Sequence, residues 1–236
     1  MKKVYVLTLC ALMCAFVNAQ EETKHSLSRF TAFELGFPIL HHEGNFYDLD
    51  DDYDFDFTSN GFAFDCSIHF VDDANWGFTF LTKLGLQYLE STMAMSSYAD
   101  SKSDLSDNEV DFEGFGSYVK FGFGKAFEGS SFAVIPTIGV GFNFGIFRTA
   151  SYFTDIYQDD DGTYVAEKTS ASGYSFSLDV FFNLFATYMI TEDFGISGSL
   201  EIARDIFCYG NIDGDAYNMG EAKFNYVPSI GFCVRL

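Results

Sequence analysis

The segment Gly61-Phe-Ala-Phe-Asp-Cys-Ser-Ile-His-Phe-Val71 alternates without a break: Phe62, Phe64, Cys66, Ile68 and Phe70 fall on one face, and Ala63, Asp65, Ser67 and His69 on the other. Successive side chains of a strand point to opposite sides, so period-two alternation over this length predicts a strand with two unlike faces. One face is aromatic and aliphatic, the other small, polar and charged.

Working outward, the same division recurs along the chain. Between Trp76 and Tyr88 the bulky face is Trp76, Phe78, Phe80, Leu84, Leu86 and Tyr88, broken by Thr82, against Gly77, Thr79, Leu81, Lys83, Gly85 and Gln87. Phe115, Val119, Phe121 and Phe123 oppose Gly116, Tyr118, Lys120, Gly122 and Gly124. Alternation then predicts strands at 132–145 (Asn143 and three glycines on the small face), 174–185 (Asp179, Phe181 and Asn183), 194–202 (Glu201) and 225–236 (Cys233 and Arg235). Phe33, Leu35, Phe37 and Ile39 against Ala32, Glu34 and Gly36 complete a set of eight.

The connections alternate too. Those at about 41–59, 90–110, 147–171 and 205–221 read as long and polar, and those at 71–75, 125–130 and 191–193 as tight turns. This is the asymmetry of an eight-stranded antiparallel up-and-down transmembrane β-barrel, with both termini on the short-turn, periplasmic side. A soluble ligand-binding barrel would turn its large apolar residues inward. Eight strands leave an interior only wide enough for side chains, which suits Gly, Ser, Thr and ion pairs but not layers of phenylalanine. The bulky face, in a chain with 30 Phe and 14 Tyr, is therefore expected to meet lipid. No segment after residue 19 is apolar for the roughly 20 residues a spanning helix needs, so a membrane crossing requires a closed barrel.

Met1–Ala19 reads as a secretory signal peptide: Lys2 and Lys3, an apolar run from Val4 to Val17, and Val17-Asn18-Ala19 as the cleavage site, leaving 20–236 as one barrel domain. Thirteen Lys and Arg stand against 34 Asp and Glu, a formal net charge of −21, which argues against nucleic acid as a partner. Cys66, Cys208 and Cys233 remain after cleavage, an odd, widely spaced set that fits neither a disulfide framework nor a zinc site.

The small face gathers Glu34, Asp65, Asp179 and Glu201 with Lys83, Lys120 and Arg235. An unpaired charge inside a membrane barrel is costly, so these are expected to form an ion-pair network that fills the lumen. His25, His41, His42 and His69 stand at no spacing that brings a nucleophile, a base and an orienting group together, and no enzyme activity is expected. Asp48, Asp50, Asp52 and Asp54 alternate in the first long connection. An EF-hand beginning at Asp48 would need Gly and Glu where Tyr53 and Ser59 stand, so the expectation is looser binding of divalent cations. No other cofactor is expected. Most of the acidic residues fall in four clusters within or beside the long connections, at 43–56, 90–111, 155–167 and 205–221, with Lys102 the single basic residue among them. They favour divalent cations or a basic surface as partners.

In strand count, loop asymmetry and the ending Tyr226-Val-Pro-Ser-Ile-Gly-Phe-Cys-Val-Arg-Leu236, the chain resembles the small OmpA/OmpX-type outer-membrane barrels over residues 28–236. The ending is similar to the terminal strand that the outer-membrane assembly machinery recognises, with Leu236 where those proteins usually finish on Phe. The resemblance implies an outer-membrane location in a diderm bacterium, lipid and that machinery as partners, and a monomer, but no catalytic motif. The expected role is display of acidic loops for surface binding, adhesion or envelope integrity; the alternative is a porin-like barrel for small solutes or ions.

Overall fold

The computed structural model describes residues 27–47, 52–72, 77–97, 109–158, 164–212, 215–218 and 224–236. The signal peptide with its cleavage site, His25, Asp48, Asp50, Trp76 and Lys102 lie outside the described residues. In chain order the strands are β1 (Leu27–Gly36), β2 (Ile39–Tyr47), β3 (Asp52–Asp72), β4 (Phe78–Ser97), β5 (Glu109–Lys125), β6 (Phe127–Glu128), β7 (Phe132–Gln158), β8 (Tyr164–Met189), β9 (Phe194–Ile212), β10 (Asp215–Asn218) and β11 (Phe224–Arg235).

Eight staves form the barrel. β1 and β2 are one stave interrupted at Phe37-Pro38, where proline brings no N–H to the ladder; the Phe37 N–H donates to the Pro228 carbonyl (2.9 Å). β6 is a two-residue strand in the turn before β7, and β10 folds back on the end of β9. The ring runs antiparallel from β1 through β3, β4, β5, β7, β8, β9 and β11. It closes where Phe33 meets Phe232 on β11 and Cys66 on β3. Closure leaves the barrel wall without a sheet edge, the condition for backbone in lipid.

The alternation read from the sequence is the alternation of the wall. Ala63, Asp65, Ser67 and His69 are buried inside, while Phe62 and Phe64 are more than half exposed on the outside. Phe115, Ile138 and Ile230 are each over 60% exposed, at 64%, 64% and 65%. A water-soluble monomer does not carry such a belt. Phe78 and Tyr88 mark its two borders on β4. The ten residue steps from one to the other, at about 3.3 Å each and a tilt of roughly 40°, span about 25 Å, the apolar height of membrane barrels. Aromatic rings edge it, with Phe78 against Phe123 (6.0 Å) at one border and Tyr88 against Phe115 (5.0 Å) at the other.

The long connections differ from the sequence expectation. Residues 41–59 are mostly ladder, with pairs from His41↔Thr58 to Tyr47↔Asp52. Residues 147–171 likewise continue β7 and β8 out to Gln158↔Tyr164. Beyond lipid neither face has to be apolar, so alternation fades while backbone pairing continues. What read as loops are largely hairpins standing on the barrel. A second departure is a bulge: Leu178 pairs with Phe207 but Asp179 pairs with Asp205, so Ile206 is the extra residue. Ile206 and Phe207 both face outward, and Asp205 and Cys208 line the interior.

The short-turn end of the lumen is closed by an apolar cluster including Phe30, Val71, Ile135, Phe185, Met189 and Cys233. His69 is stacked on Phe185 there, ring centres 4.2 Å apart. Gly77, at φ 73°, opens the turn into β4, and a side chain at that position would meet the Ala126 carbonyl.

Candidate functional site

Above the apolar cluster, the register brings Lys83 on β4 directly opposite Lys120 on β5. Two like charges at facing positions repel, and the repulsion is resolved from the other side of the barrel. Glu201, on β9, reaches across the lumen: its Oε2 accepts from Lys83 Nζ (3.1 Å) and its Oε1 from Lys120 Nζ (2.7 Å). Because β9 is the fourth stave from β4 in a ring of eight, this carboxylate is a strut between opposed walls.

Each lysine has a further acid beside it. Lys83 Nζ lies 3.2 Å from Asp65 Oδ2, a contact of charge rather than a directed hydrogen bond. Lys120 Nζ donates to Asp179 Oδ2 at 2.8 Å. Glu34 joins through Ser199, whose hydroxyl donates to Glu34 Oε2 (2.9 Å). The Tyr118 ring sits within 5.9 Å of Lys83 Nζ and 5.3 Å of Lys120 Nζ, and Phe181 within 5.5 Å of Lys120 Nζ. All five pairing side chains, Lys83, Asp65, Lys120, Asp179 and Glu201, are at most 6% exposed. Small residues make the space: a Cβ at Gly85 would run into the Tyr118 ring and the Asp65 carboxylate, and one at Gly141 into Asp179.

Six of the seven residues expected in the lumen network are thus placed in one layer, and Arg235 is not. It lies on the inner side of β11 at the last step, where the barrel opens, and its guanidinium turns over Phe30 (5.4 Å) to pair with Glu128 (3.0 Å). A long side chain at the mouth reaches water instead of displacing the packed interior. Of the expected cation-binding acids, Asp52 and Asp54 are strand residues paired with Tyr47 and Asn45; Asp48 and Asp50 lie outside the described residues.

The layer also includes residues that the sequence did not single out. Asn143 Nδ2 donates to Asp179 Oδ2 (2.9 Å) and to Ser177 Oγ (3.0 Å). Ser177 donates to Asp205 Oδ1 (2.8 Å), and Asn225 Nδ2 to Asp205 Oδ2 (3.2 Å). A continuous polar chain therefore runs from Lys120 to β11. Alternation puts Asn143 and Ser177 inside, but only register shows that they are cross-strand neighbours; Asp205 is inward in step with Glu201 and Ala203, and the bulge just after it sets Cys208 inward.

On the hairpin side of the layer is a cavity of about 150 Å³. Its floor is Tyr118, Lys120, Asp179 and Glu201, and its walls are mainly carbon, from Leu40, Leu89, Phe112, Phe147, Ala203 and Val227. The interior is therefore divided: an apolar plug, a charged partition, and a cup. A pore would need a polar column through all three.

The fold is that of a small outer-membrane β-barrel. OprG of Pseudomonas aeruginosa superposes with a TM-score of 0.51 at 12% identity, covering 90% of this chain and 97% of that one. The outer membrane protease OmpT of Escherichia coli matches at 0.49 and 9% identity, covering 92% and 99%. Ail, the attachment invasion locus protein of Yersinia pestis, matches at 0.40 and 12% identity, covering 88% and 98%. No protein-family model and no curated protein matches the sequence.

Proposed function

We propose that this chain is a non-conducting barrel of the outer membrane that holds tall acidic hairpins outside the cell for binding, with both termini in the periplasm. The observation that carries this reading is the strut from Glu201 to Lys83 and Lys120, which crosses the lumen from wall to wall above an apolar plug. A passing ion would have to break two buried pairs and then enter a carbon-lined constriction. The eight-stranded ring adds to the argument, because its bore is filled by side chains.

Sidedness follows from the usual construction of such barrels, short turns in the periplasm and long hairpins outside. On that orientation the acidic stretches around 43–56, 90–111 and 155–167 face outward, a negative field suited to basic surfaces or divalent cations. His69 is packed on Phe185 inside the plug, which takes it out of any catalytic set and favours binding over catalysis. Transport of a small solute is the second reading, favoured by the cup, which gives a solute somewhere to enter.

The test is to record planar-bilayer conductance of the refolded protein and, in cells, protease cleavage at tags placed in residues 98–108 and at the C-terminus. Silent bilayers, an accessible hairpin tag and a protected C-terminal tag are expected. Long-lived, uniform channels would replace this reading with transport, and a protected hairpin tag would reverse the orientation.

A further inference from the structure

The space in the cup above the charged partition comes from a row of small residues. Gly116 on β5, Gly145 on β7, Ser175 on β8 and Gly210 on β9 stand directly opposite one another across four neighbouring staves, and all four line the cavity. One step towards the hairpins, Phe147 lies between Gly114 and Gly173, where a Cβ at 173 would strike its ring. Phe147 and Phe112 meet edge to face, ring centres 5.7 Å apart at 81°, an arrangement that a further ring can extend. The free volume, about 150 Å³, is that of an apolar cavity able to take up benzene.

The polar groups of the lining are engaged with one another. Lys120 is held by Asp179 and Glu201, and Asn143 donates to Asp179 and Ser177. Nearer the hairpins, the Ser59 and Ser91 hydroxyls share a hydrogen bond of 2.7 Å. Asp179 Oδ1 has no hydrogen bond among the described residues, but it is buried and turned onto Gly141, out of reach of a ligand. A molecule entering the cup is therefore met mainly by carbon, and a charge carried in with it would give up water at a cost.

We infer that the cup is a binding site for one neutral aromatic ring, a molecule the size of benzyl alcohol, seated over the row of small residues and against Phe147. This goes beyond surface binding by the hairpins and stands or falls separately from it, since it needs only that the partition forms a floor.

The experiment is calorimetric titration of the full-length mature protein in lipid nanodiscs with benzyl alcohol, with empty nanodiscs as the blank. Benzylamine and benzoate are the charged counterparts, and 2-naphthalenemethanol is the two-ring one. Saturable binding of benzyl alcohol at a dissociation constant of about 0.1–1 mM is expected for a ligand of this size. The charged molecules should bind at least about tenfold more weakly. The two-ring alcohol should show no saturable binding although it enters lipid more readily, so partitioning into the bilayer would give the opposite order. Ser175→Leu fills the row between Gly145 and Gly210, leaves every charge in place and should abolish binding. Phe147→Leu keeps the wall apolar and should weaken binding about three- to tenfold. If Ser175→Leu fails to reach the folded gel mobility, Phe147→Leu decides among the variants, and the ligand series needs neither. Absence of saturable benzyl alcohol binding, equal binding of a charged or two-ring counterpart, or an unchanged affinity in whichever variant folds would overturn the inference.

Discussion

Glu201→Gln is the sharpest perturbation of the barrel, because one carboxylate separates two opposed ammonium groups. Lys83 and Lys120 each hold one of its oxygens, at 3.1 and 2.7 Å. Two ammonium groups gripping one carboxylate stand on the order of 6 Å apart, and at an effective dielectric of about 20 their bare repulsion is roughly 3 kcal/mol. Asp65 and Asp179 remain beside the lysines after the substitution, which softens the loss. The expected destabilisation is therefore about 3 kcal/mol, the low end of the range for breaking a buried pair. The assay is equilibrium urea unfolding in lipid vesicles, read by the mobility difference between folded and heat-denatured protein on gels. Glu128→Gln is the internal control: it removes the ion pair with Arg235 at the open mouth, where Arg235 is 36% exposed, and should cost about 0–1 kcal/mol. In a double-mutant cycle, Glu201→Gln with Lys120→Met should be non-additive by about 1 kcal/mol or more, since removing one ammonium relieves the repulsion. A Glu201→Gln barrel as stable as the Glu128→Gln one, or strict additivity in the cycle, would refute the strut.

Two further outcomes follow from the packing. Gly85→Val should destabilise the same unfolding transition by about 1–3 kcal/mol, because the new side chain meets Tyr118 and Asp65; an unchanged midpoint would mean that the layer has slack the geometry does not contain. Cys66 is half-buried on the lipid face, whereas Cys208 and Cys233 are buried inside. A membrane-soluble maleimide should therefore label Cys66 first in folded protein, and a charged maleimide should label none of the three until the barrel unfolds. Fast labelling of Cys233 by the charged reagent would contradict the closed plug.

Parity was legible in the sequence and register was not. Phe62 against Asp65, or Phe121 against Lys120, announces its side because lipid and lumen impose opposite chemistry on adjacent residues. Nothing local says that Lys83 will face Lys120, or that Glu201 from the far wall will come between them, because those relations depend on how each strand slides along the next. Asp205 was hidden for another reason: it keeps the phase of Glu201 and Ala203 but lies where 205–221 reads as a loop. Just beyond it, a single extra residue at Ile206 reverses the phase of the strand, so that alternation carried straight through assigns Cys208 the wrong face. The hairpins were read as loops because polarity on both faces looks the same in a sequence whether the backbone pairs or not. Arg235 shows the limit of parity itself, since facing inward at the last rung means facing the exit.

The strut also constrains how the barrel can be assembled. Lys83 and Lys120 lie on neighbouring strands in the first half of the chain, while the carboxylate that separates them arrives only with β9. A partly built sheet ending at β5 would present two facing ammonium groups with Asp65 alone beside them, and one ending at β8 would add Asp179 but still lack the charge between them. Such a sheet cannot settle stably in hydrocarbon strand by strand. The strut therefore favours insertion and closure as a single concerted event, in which the wall enters lipid once its last staves are in place and the interior has neutralised itself.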